Sequence, residues 1–373
     1  MEQKNETFNG MKKESMARIL VVAILLSLCT IALVLTNQPD PDFKKQWYLY
    51  NDETGIDINA KGMWKYLSNA EKNTVVVAII DTGVDYECAE LAPSQWINDD
   101  EIESNGIDDD HNGFIDDVYG WSFVDNKPFN RTMIESSHGT MCAGIIAAKH
   151  DGRGIEGIVR YGDIKIMPIK VLSSETSFGE GTVKNVIKGI KYAEENGADI
   201  CNLSLCTKEE SQELYKTIKK SKMLFVVSAG NNNFMLRINI DEEKVYPASY
   251  RLQNVITVAN MTSEGRLSRN SNYGPKTVDV VAPGTDIFCI TGKNTYGFAS
   301  GTSFSTPVVT GVAANIYLVE KNVDPHIVKD IICDTVTVHE ALRNKCFSGG
   351  FVNGAEALKK SMNRRDYNEK KDN

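Results

Sequence analysis

The chain has 373 residues, of which 42% are hydrophobic and 24% are charged, and its formal net charge at pH 7 is −9. This composition is typical of a globular protein and argues against a disordered, a collagen-like or a multi-span membrane protein. The acidic balance argues against a nucleic-acid partner, because binding to phosphates requires a basic surface.

An almost wholly apolar run, Ile19–Leu35, follows three basic residues near the N-terminus. It is longer than the core of a typical signal peptide and close to the minimum length of a spanning helix. Residues 16–36 are therefore predicted to be an uncleaved signal anchor, with a cleaved signal peptide as the alternative. Because the basic residues precede the run, residues 1–15 are expected in the cytoplasm. The expected location is the cell membrane with an extracytoplasmic domain, or secretion if the run is removed.

Short β-branched runs alternate with helix-like segments along the rest of the chain. Several of the runs are apolar at successive positions, which suits strands that are covered on both faces. The sequence therefore predicts an α/β fold with a mostly parallel central sheet and helices on both faces. The predicted strands are Val75–Ile80, Ile164–Leu172, Ile200–Leu205, Leu224–Ser228, Val255–Ala259 and Val278–Ala282. The predicted helices are His138–Lys149, Thr182–Asn196, Glu209–Ser221 and Thr302–Glu320, and Asp324-Pro325 opens a further one.

No linker, repeat or low-complexity run interrupts residues 37–358, which are predicted to form one domain. Residues 359–373 are mostly charged and are expected to be a frayed or disordered tail. Seven cysteines follow the apolar run at irregular spacing and without a CxxC pair, so no zinc site is indicated. Cys333 and Cys346 are the one pair considered for a disulfide.

Four short segments carry residue types that acyl transfer requires. Each residue has an ordinary interpretation when taken alone, as a turn former, a helix cap or a left-handed residue. In chain order they supply an acid, a base, an amide donor and a nucleophile, which is the set that covalent hydrolysis needs. The segments are Ile80-Asp81-Thr82-Gly83, Ser137-His138-Gly139-Thr140, Ser228-Ala229-Gly230-Asn231 and Ser300-Gly301-Thr302-Ser303-Phe304-Ser305-Thr306-Pro307.

From Trp47 to Leu358 the chain resembles the subtilisin-like serine proteases, in which the triad follows the order Asp, His, Ser. The resemblance implies a three-layer sandwich and a serine endopeptidase that acts on peptides or proteins, and a monomer is expected. It also implies that Asp81 orients His138, that His138 is the general base, that Ser303 is the nucleophile and that Asn231 stabilises the oxyanion. Further stretches share the resemblance: Trp47-Tyr48-Leu49, Tyr246-Pro247-Ala248, Ala282-Pro283-Gly284 and Gly350-Phe351-Val352-Asn353.

Two segments resemble the substrate-binding edges of that family, Ser204-Leu205-Cys206 and Gly179-Glu180-Gly181. Extended peptides would pair with these edges as added strands. A catalytically impaired peptide-binding protein remains the alternative to a protease, because several residues near the nucleophile depart from the family pattern. About forty residues separate the apolar run from the first strand, too few for a large prodomain, which favours a dedicated processing protease slightly. The departures are Cys206, Asn270, Phe304, Ser305 and Val308.

An acidic stretch between Asp81 and His138 matches the first half of an EF-hand loop, with oxygen ligands at alternate positions and glycine at the sixth. Tyr119 occupies the position of the closing glutamate, so the stretch is not an EF-hand. The spacing and the family resemblance predict a structural Ca²⁺ site, with a solvated acidic loop as the alternative. The predicted ligands are Asp108, Asp110, Asn112, Phe114, Asp116 and Asp117.

Overall fold

The computed structural model describes residues 43–129, 137–173, 180–232, 237–293 and 295–372. The predicted membrane segment, residues 16–36, lies outside these ranges. Among the helices that are described, none is both long enough and apolar enough to cross a bilayer.

Among the described residues the strands form one ten-stranded sheet and two separate antiparallel pairs, β5–β6 and β11–β12. In the large sheet the order is β13-β14-β10-β9-β8-β7-β1-β4-β2-β3, and only the two end pairs, β13–β14 and β2–β3, are antiparallel. The strands are β1 (Thr74–Asp81), β2 (Trp121–Ser122), β3 (Lys127–Pro128), β4 (Asp163–Lys170), β5 (Leu172–Ser173), β6 (Glu180–Gly181), β7 (Ile200–Leu203), β8 (Leu224–Ser228), β9 (Val255–Met261), β10 (Val280–Pro283), β11 (Ile287–Gly292), β12 (Thr295–Ala299), β13 (Thr337–Val338) and β14 (Gly350–Phe351).

Helices cover both faces of the sheet. Two separate groups of buried apolar side chains fill the spaces between the sheet and the helices. On one face pack α1, α2, α5, α6 and α7, and on the other pack α3 and α4. The helices are α1 (Ala60–Leu67), α2 (His138–Ala147), α3 (Val183–Glu195), α4 (Gln212–Lys220), α5 (Thr302–Val319), α6 (Pro325–Asp334) and α7 (Gly354–Asp372). Single 3₁₀ turns lie at Phe43–Lys45, Ala92–Ser94, Ala248–Tyr250 and Glu340–Leu342.

Strand β1 and helix α5 occupy the centre of this arrangement. Strand β1 pairs in parallel with β4 on one side and β7 on the other, and five of its eight residues in succession are buried at its C-terminal end. Helix α5 is apolar nearly all round, and every residue in it except Ser303 is buried. Fully burying one such apolar side chain contributes about 1.5–3 kcal/mol, so these two elements hold the ends that carry Asp81 and Ser303 firmly in place.

The α/β fold with helices on both faces is confirmed, and Leu224–Ser228 has the predicted bounds. Helix α6 begins as predicted, with the Asp324 side chain accepting a hydrogen bond from the His326 N–H and Pro325 in the first turn. Gly197, just after α3, has a φ of 75°, in the left-handed region that favours glycine at the end of a helix.

The prediction of a frayed tail after residue 358 is wrong. Helix α7 continues to Asp372, because its first half still contacts the body of the protein. Ser361 is fully buried and donates to Glu320 Oε2 at 3.3 Å, and Arg364 forms an ion pair with the other oxygen of Glu320. Met362 packs against the apolar core. Charge density alone misled the prediction, since charged side chains such as Lys360 face outward from an anchored helix.

We expect deletion of residues 359–373 to lower the free energy of unfolding by about 2–5 kcal/mol, because it exposes apolar surface and leaves Glu320 without two hydrogen-bond donors. Thermal unfolding followed by circular dichroism measures the effect. Deletion of residues 367–373 alone is the control and should change the melting temperature little. Equal effects of the two deletions would contradict this account of the tail.

Candidate active site

Asp81 and His138 meet where strand β1 ends and helix α2 begins. His138 Nδ1 lies 2.8 Å from Asp81 Oδ1 and 3.0 Å from Asp81 Oδ2, and both side chains are buried. The Gly139 N–H donates to Thr82 Oγ1 at 3.1 Å, which ties the start of the helix to the end of the strand. A Cβ atom on Gly139 would lie 2.2 Å from the carbonyl oxygen of Gly83, so only glycine allows this close approach.

The carboxylate of Asp81 determines both the tautomer and the basicity of His138. An ionised carboxylate only accepts hydrogen bonds, so Nδ1 carries a hydrogen and Nε2 of the neutral ring is the basic atom. Burial lowers the pKa of His138, but the negative charge of Asp81 and the hydrogen bond to it outweigh burial and hold the pKa above its ordinary value. His138 is thus a strengthened base with a fixed orientation.

Ser303 lies in the first turn of α5 and is the one residue of that helix that is not buried. Its hydroxyl donates to the carbonyl oxygen of Ser204 at 3.1 Å. The next residue, Phe304, packs its ring against the imidazole of His138, with 5.7 Å between the ring centroids. The nucleophile predicted from the sequence therefore adjoins a residue in contact with the base, at the start of a helix whose first N–H groups have no helical partner.

The Asn231 side chain is held at the same helix start. Its Oδ1 accepts a hydrogen bond from the Thr302 N–H at 2.9 Å. An N–H group can donate only to the oxygen of an amide, so this bond identifies Oδ1 and leaves Nδ2 as the donor that faces the other way. The exposed side-chain amide of Asn231 is thus bonded to the residue before Ser303, at the N-terminus of α5.

The first substrate edge predicted from the sequence lies next to Ser303. Ser204 bonds directly to it, while the carbonyl of Leu205 accepts a hydrogen bond from Ser228 Oγ at 3.3 Å. Cys206 is exposed and lies against Gly230, where an added Cβ atom would be 3.2 Å from its sulfur. The three residues therefore follow strand β7 along the site as one edge.

The second predicted edge is described only in part. Glu180 and Gly181 form strand β6 and pair with Ser173 and Leu172 of β5. Gly179 lies outside the described residues.

Three of the five residues that depart from the family pattern are accommodated by packing or hydrogen bonds. Phe304 is buried against the imidazole, and Val308 is fully buried in the core. The Ser305 hydroxyl donates to the carbonyl of Ala282 at 3.1 Å. A Cβ atom on Gly284 would lie 1.9 Å from that hydroxyl, so the neighbouring glycine makes room for it. These three substitutions leave the proposed catalytic groups in place.

Cys142, one turn after His138 on α2, is a buried thiol at the back of the site. Its sulfur lies 3.5 Å from both Ser204 Oγ and the carbonyl oxygen of Ser303, and its single S–H can donate to one of them at a time. Burial raises the pKa of Cys142 well above its ordinary value, so it stays a protonated thiol. The seven cysteines among the described residues are all free, and Cys333 and Cys346 are not bonded to each other.

The acidic stretch contains one compact group of carboxylates. Oxygens of Glu101, Asp110 and Asp117 all lie within 4.8 Å of one another. Asp117 is fully buried and Glu101 nearly so, and Glu101 Oε2 accepts no hydrogen bond from the described residues. Burial and the charge of Asp110 raise the pKa of Asp117, although hydrogen bonds from Tyr192, Asn112 and Asn98 lower it. A hard divalent cation fits this group of three carboxylates. Two of them, those of Glu101 and Asp117, are buried, and buried charges need a partner of opposite sign.

The predicted ligand set is gathered only in part. Asp108 accepts backbone N–H groups of its own loop, and Asp116 accepts those of residues 105 and 106. The Phe114 ring packs against Trp121 and Tyr192. Sequence reasoning missed Glu101, because it lies seven residues before the EF-hand-like spacing begins and no ligand pattern includes it.

The chain matches the model of the subtilase family over residues 72–362. It is 29% identical to "Subtilisin-like protease 1" of Plasmodium berghei over 346 residues, which cover 86% of this chain and 56% of that protein. It is 35% identical to "Thermophilic serine proteinase" of Bacillus sp. (strain AK1) over 309 residues, or 79% of this chain and 66% of that protein. The chain thus spans about half the length of the Plasmodium relatives.

A solved structure of a protease from Pseudoalteromonas arctica has the same fold. The alignment covers 87% of this chain and 99% of that one, with a TM-score of 0.65 and 24% sequence identity. At this identity the likeness supports the three-layer architecture.

We expect the pKa of the His138 imidazole to lie above the ordinary value of histidine in the folded protein and below it in an Asp81→Asn variant. The substitution removes the charge that raises the pKa and leaves the burial that lowers it. Nuclear magnetic resonance of the imidazole signals against pH measures both values. The two proteins should have the same far-ultraviolet circular dichroism, which shows that the substitution leaves the fold intact. An unchanged His138 titration would contradict the role given to Asp81.

Proposed function

The chain belongs to the subtilase family, and from this membership and the site geometry we propose that it is a serine endopeptidase with Asp81, His138 and Ser303 as its triad. The observation that carries the proposal is the Asp81–His138 hydrogen bond at 2.8 Å, with Phe304, the neighbour of Ser303, packed against the same imidazole. A strengthened base near an accessible hydroxyl is what acyl transfer needs.

In the proposed reaction Ser303 Oγ attacks the carbonyl carbon of the scissile peptide while its proton passes to His138 Nε2. The imidazolium, stabilised by Asp81, then gives that proton to the leaving amine as the carbon–nitrogen bond breaks. An acyl-enzyme ester remains on Ser303. Water then attacks this ester, giving one proton to His138, which returns it to Ser303 Oγ as the acid product leaves.

The negative oxygen of the tetrahedral intermediates would be held by Asn231 Nδ2 and the backbone N–H of Ser303. The Thr302 N–H holds the Asn231 amide from its oxygen end, so the donor is oriented before substrate arrives. The positive end of the α5 dipole adds to this stabilisation.

We propose that extended peptides pair as added strands with the edge of Ser204, Leu205 and Cys206 on one side and with Gly181 on the other. Backbone pairing of this kind accepts many sequences, so side-chain preference depends on pockets along the edge. The Cys206 side chain beside Gly230 would narrow the pocket for the side chain that precedes the scissile bond. A dedicated processing role fits such a narrowed site.

We also propose that the catalytic domain acts outside the membrane, attached to it through residues 16–36 or released from it if that segment is cleaved. The apolar run with basic residues before it supports this orientation. Mass spectrometry of the N-terminus of the mature protein distinguishes the two forms.

Glu101, Asp110 and Asp117 are proposed to hold a structural Ca²⁺ ion. Their mutual proximity and the unpartnered Glu101 oxygen support this assignment. A bound divalent cation would offset the repulsion among the three carboxylates and join the loop that carries them.

The wild-type protein is expected to react with a fluorophosphonate probe and to cleave a mixed peptide library, while Ser303→Ala does neither. Asn231→Ala should lower kcat by about 10²–10³, a magnitude that was established with subtilisin. Asn322→Ala, at an exposed position after the far end of α5, is the matched control and should retain full activity. A folded wild-type protein that does not label would favour a peptide-binding protein without catalysis.

Removal of Ca²⁺ by a chelator is expected to lower the melting temperature, because a ligand at about a hundred times its Kd stabilises the folded state by about 2.7 kcal/mol. Glu101→Gln should weaken Ca²⁺ binding in calorimetry and reduce the effect of the chelator. Asp109→Asn is the control, since among the described residues the Asp109 side chain bonds to the Ile102 N–H and to Asn105 Nδ2, within the loop. If chelation leaves the wild-type melting temperature unchanged, the assignment is wrong.

A further inference from the structure

Pro307 leaves the backbone carbonyl of Ser303, the proposed nucleophile, without its usual helical hydrogen-bond donor. In an α-helix the carbonyl of residue i accepts the N–H of residue i+4, so the carbonyl of Ser303 would pair with residue 307. Proline has no N–H, and its ring crowds that same carbonyl. Pro307 lies inside α5, in its second turn, so the backbone oxygen of Ser303 must find another donor.

The side chain of Ser204 supplies that donor. Its hydroxyl donates to the Ser303 carbonyl at 2.8 Å, shorter than the 3.5 Å contact from the Cys142 thiol. In return the Ser204 carbonyl accepts the hydroxyl of Ser303 at 3.1 Å. Ser204 is therefore hydrogen-bonded both to the backbone carbonyl and to the side-chain hydroxyl of Ser303.

Two buried polar residues fix the direction of the Ser204 hydroxyl. Asn202 Nδ2 donates to Ser204 Oγ at 3.0 Å, so the single hydroxyl hydrogen of Ser204 is left to point toward Ser303. Thr310 Oγ1 donates to Asn202 Oδ1 at 2.8 Å, which prevents the amide from turning over. The same hydroxyl lies 3.0 Å from the Thr306 carbonyl, which already has its helical partner, the N–H of Thr310.

Every member of this hydrogen-bond network of Thr310, Asn202 and Ser204 is protected from water. Thr310 and Asn202 are fully buried, and Ser204 is 5% exposed. Asn202 lies on β7, where it pairs in register with Ile79 of β1, so the network is anchored in the centre of the sheet. Away from water, an amide or hydroxyl without a hydrogen-bond partner lowers the free energy of unfolding by about 1–3 kcal/mol. Because the loss of one bond in the network would leave the next group without a partner, each bond depends on the others.

We infer that Thr310, Asn202 and Ser204 are positioning residues, which replace the helical hydrogen bond removed by Pro307 and hold Ser303 in place for attack. The inference rests on the proposed peptidase function. It adds to that function a group of buried residues that hold Ser303 and whose side chains do not touch the reacting atoms. Loss of this hydrogen-bond network should therefore lower the rate of the chemical step more than it weakens the binding of substrate.

The test replaces the Thr310 hydroxyl by a methyl group of the same shape. Thr310→Val should lower kcat about ten-fold with little change in KM, the effect of losing about one buried hydrogen bond at the site. Labelling by the fluorophosphonate should slow by a similar factor. Thr310→Ser keeps the hydroxyl and should restore most of the rate.

Thr257→Val is the matched control, because Thr257 is a buried threonine whose hydroxyl donates to the carbonyl of Ala248, away from the site. It should lower stability to a comparable degree and leave kcat unchanged. If Thr310→Val and Thr257→Val have the same kcat, the inference is overturned.

Ser204→Ala acts on the same network, and its kcat alone, compared with that of Thr257→Val, tests the inference if Thr310→Val does not fold. Its loss of kcat should be at least as large, and the Thr310→Val, Ser204→Ala double variant should be no slower than Ser204→Ala alone. Additive losses in the double variant would overturn the inference.

Hydrogen exchange separates this inference from the proposed function. The amides at the start of α5 should exchange about ten-fold faster in Thr310→Val than in Thr257→Val, whether or not the protein cleaves peptides. An inactive wild-type protein with this exchange difference would overturn the peptidase proposal alone. Equal exchange in the two variants would overturn the positioning role.

Discussion

The burial of helix α5 is the constraint on which the rest of the structure depends. All of its residues except Ser303 are packed against the sheet or its neighbours, so the helix has no freedom to slide or turn. Strand β1 is buried just as completely at its C-terminal end and delivers Asp81 to the same side of the molecule. Because both elements lie in the core, the chemistry at their ends is positioned by packing, and the hydrogen bonds among the side chains need only refine it.

The central strands and two residues of the candidate site could be predicted from the sequence, because burial and chemistry restrict which residues can stand there. Buried parallel strands must be continuous apolar runs, so β1 and β8 could be recognised, and Asp81 and His138 stand in short segments whose order is specific. The contribution of Glu101 could not be predicted, because it reaches the acidic group through loop geometry that no spacing rule encodes. The prediction for the tail is wrong for a related reason: its anchoring depends on Glu320, a residue that follows another helix.

Two of the departures from the family pattern, Phe304 and Ser305, have a common explanation. Substituted polar or bulky side chains near Ser303 are matched by partners that accept them. Ser305 bonds to the Ala282 carbonyl, and Phe304 fills the space beside His138. Such matching keeps the local structure intact while the surface presented to a bound peptide changes. The substitutions therefore alter the shape of the site more than its catalytic groups.

The register of β1 has a consequence for how the chain folds. Its neighbours in the sheet come from far along the sequence: Thr74 bonds to Asp163, 89 residues away, and Val76 to Asp199, 123 residues away. Closing such large loops costs entropy before any contact repays it, so topologies of this kind assemble slowly. During synthesis the edge of β1 that pairs with β7 must stay unpaired until Asp199 and the strand after it, more than a hundred residues later, have left the ribosome. Early protection of that strand, by a chaperone or by other parts of the chain, is thus a requirement set by the topology itself.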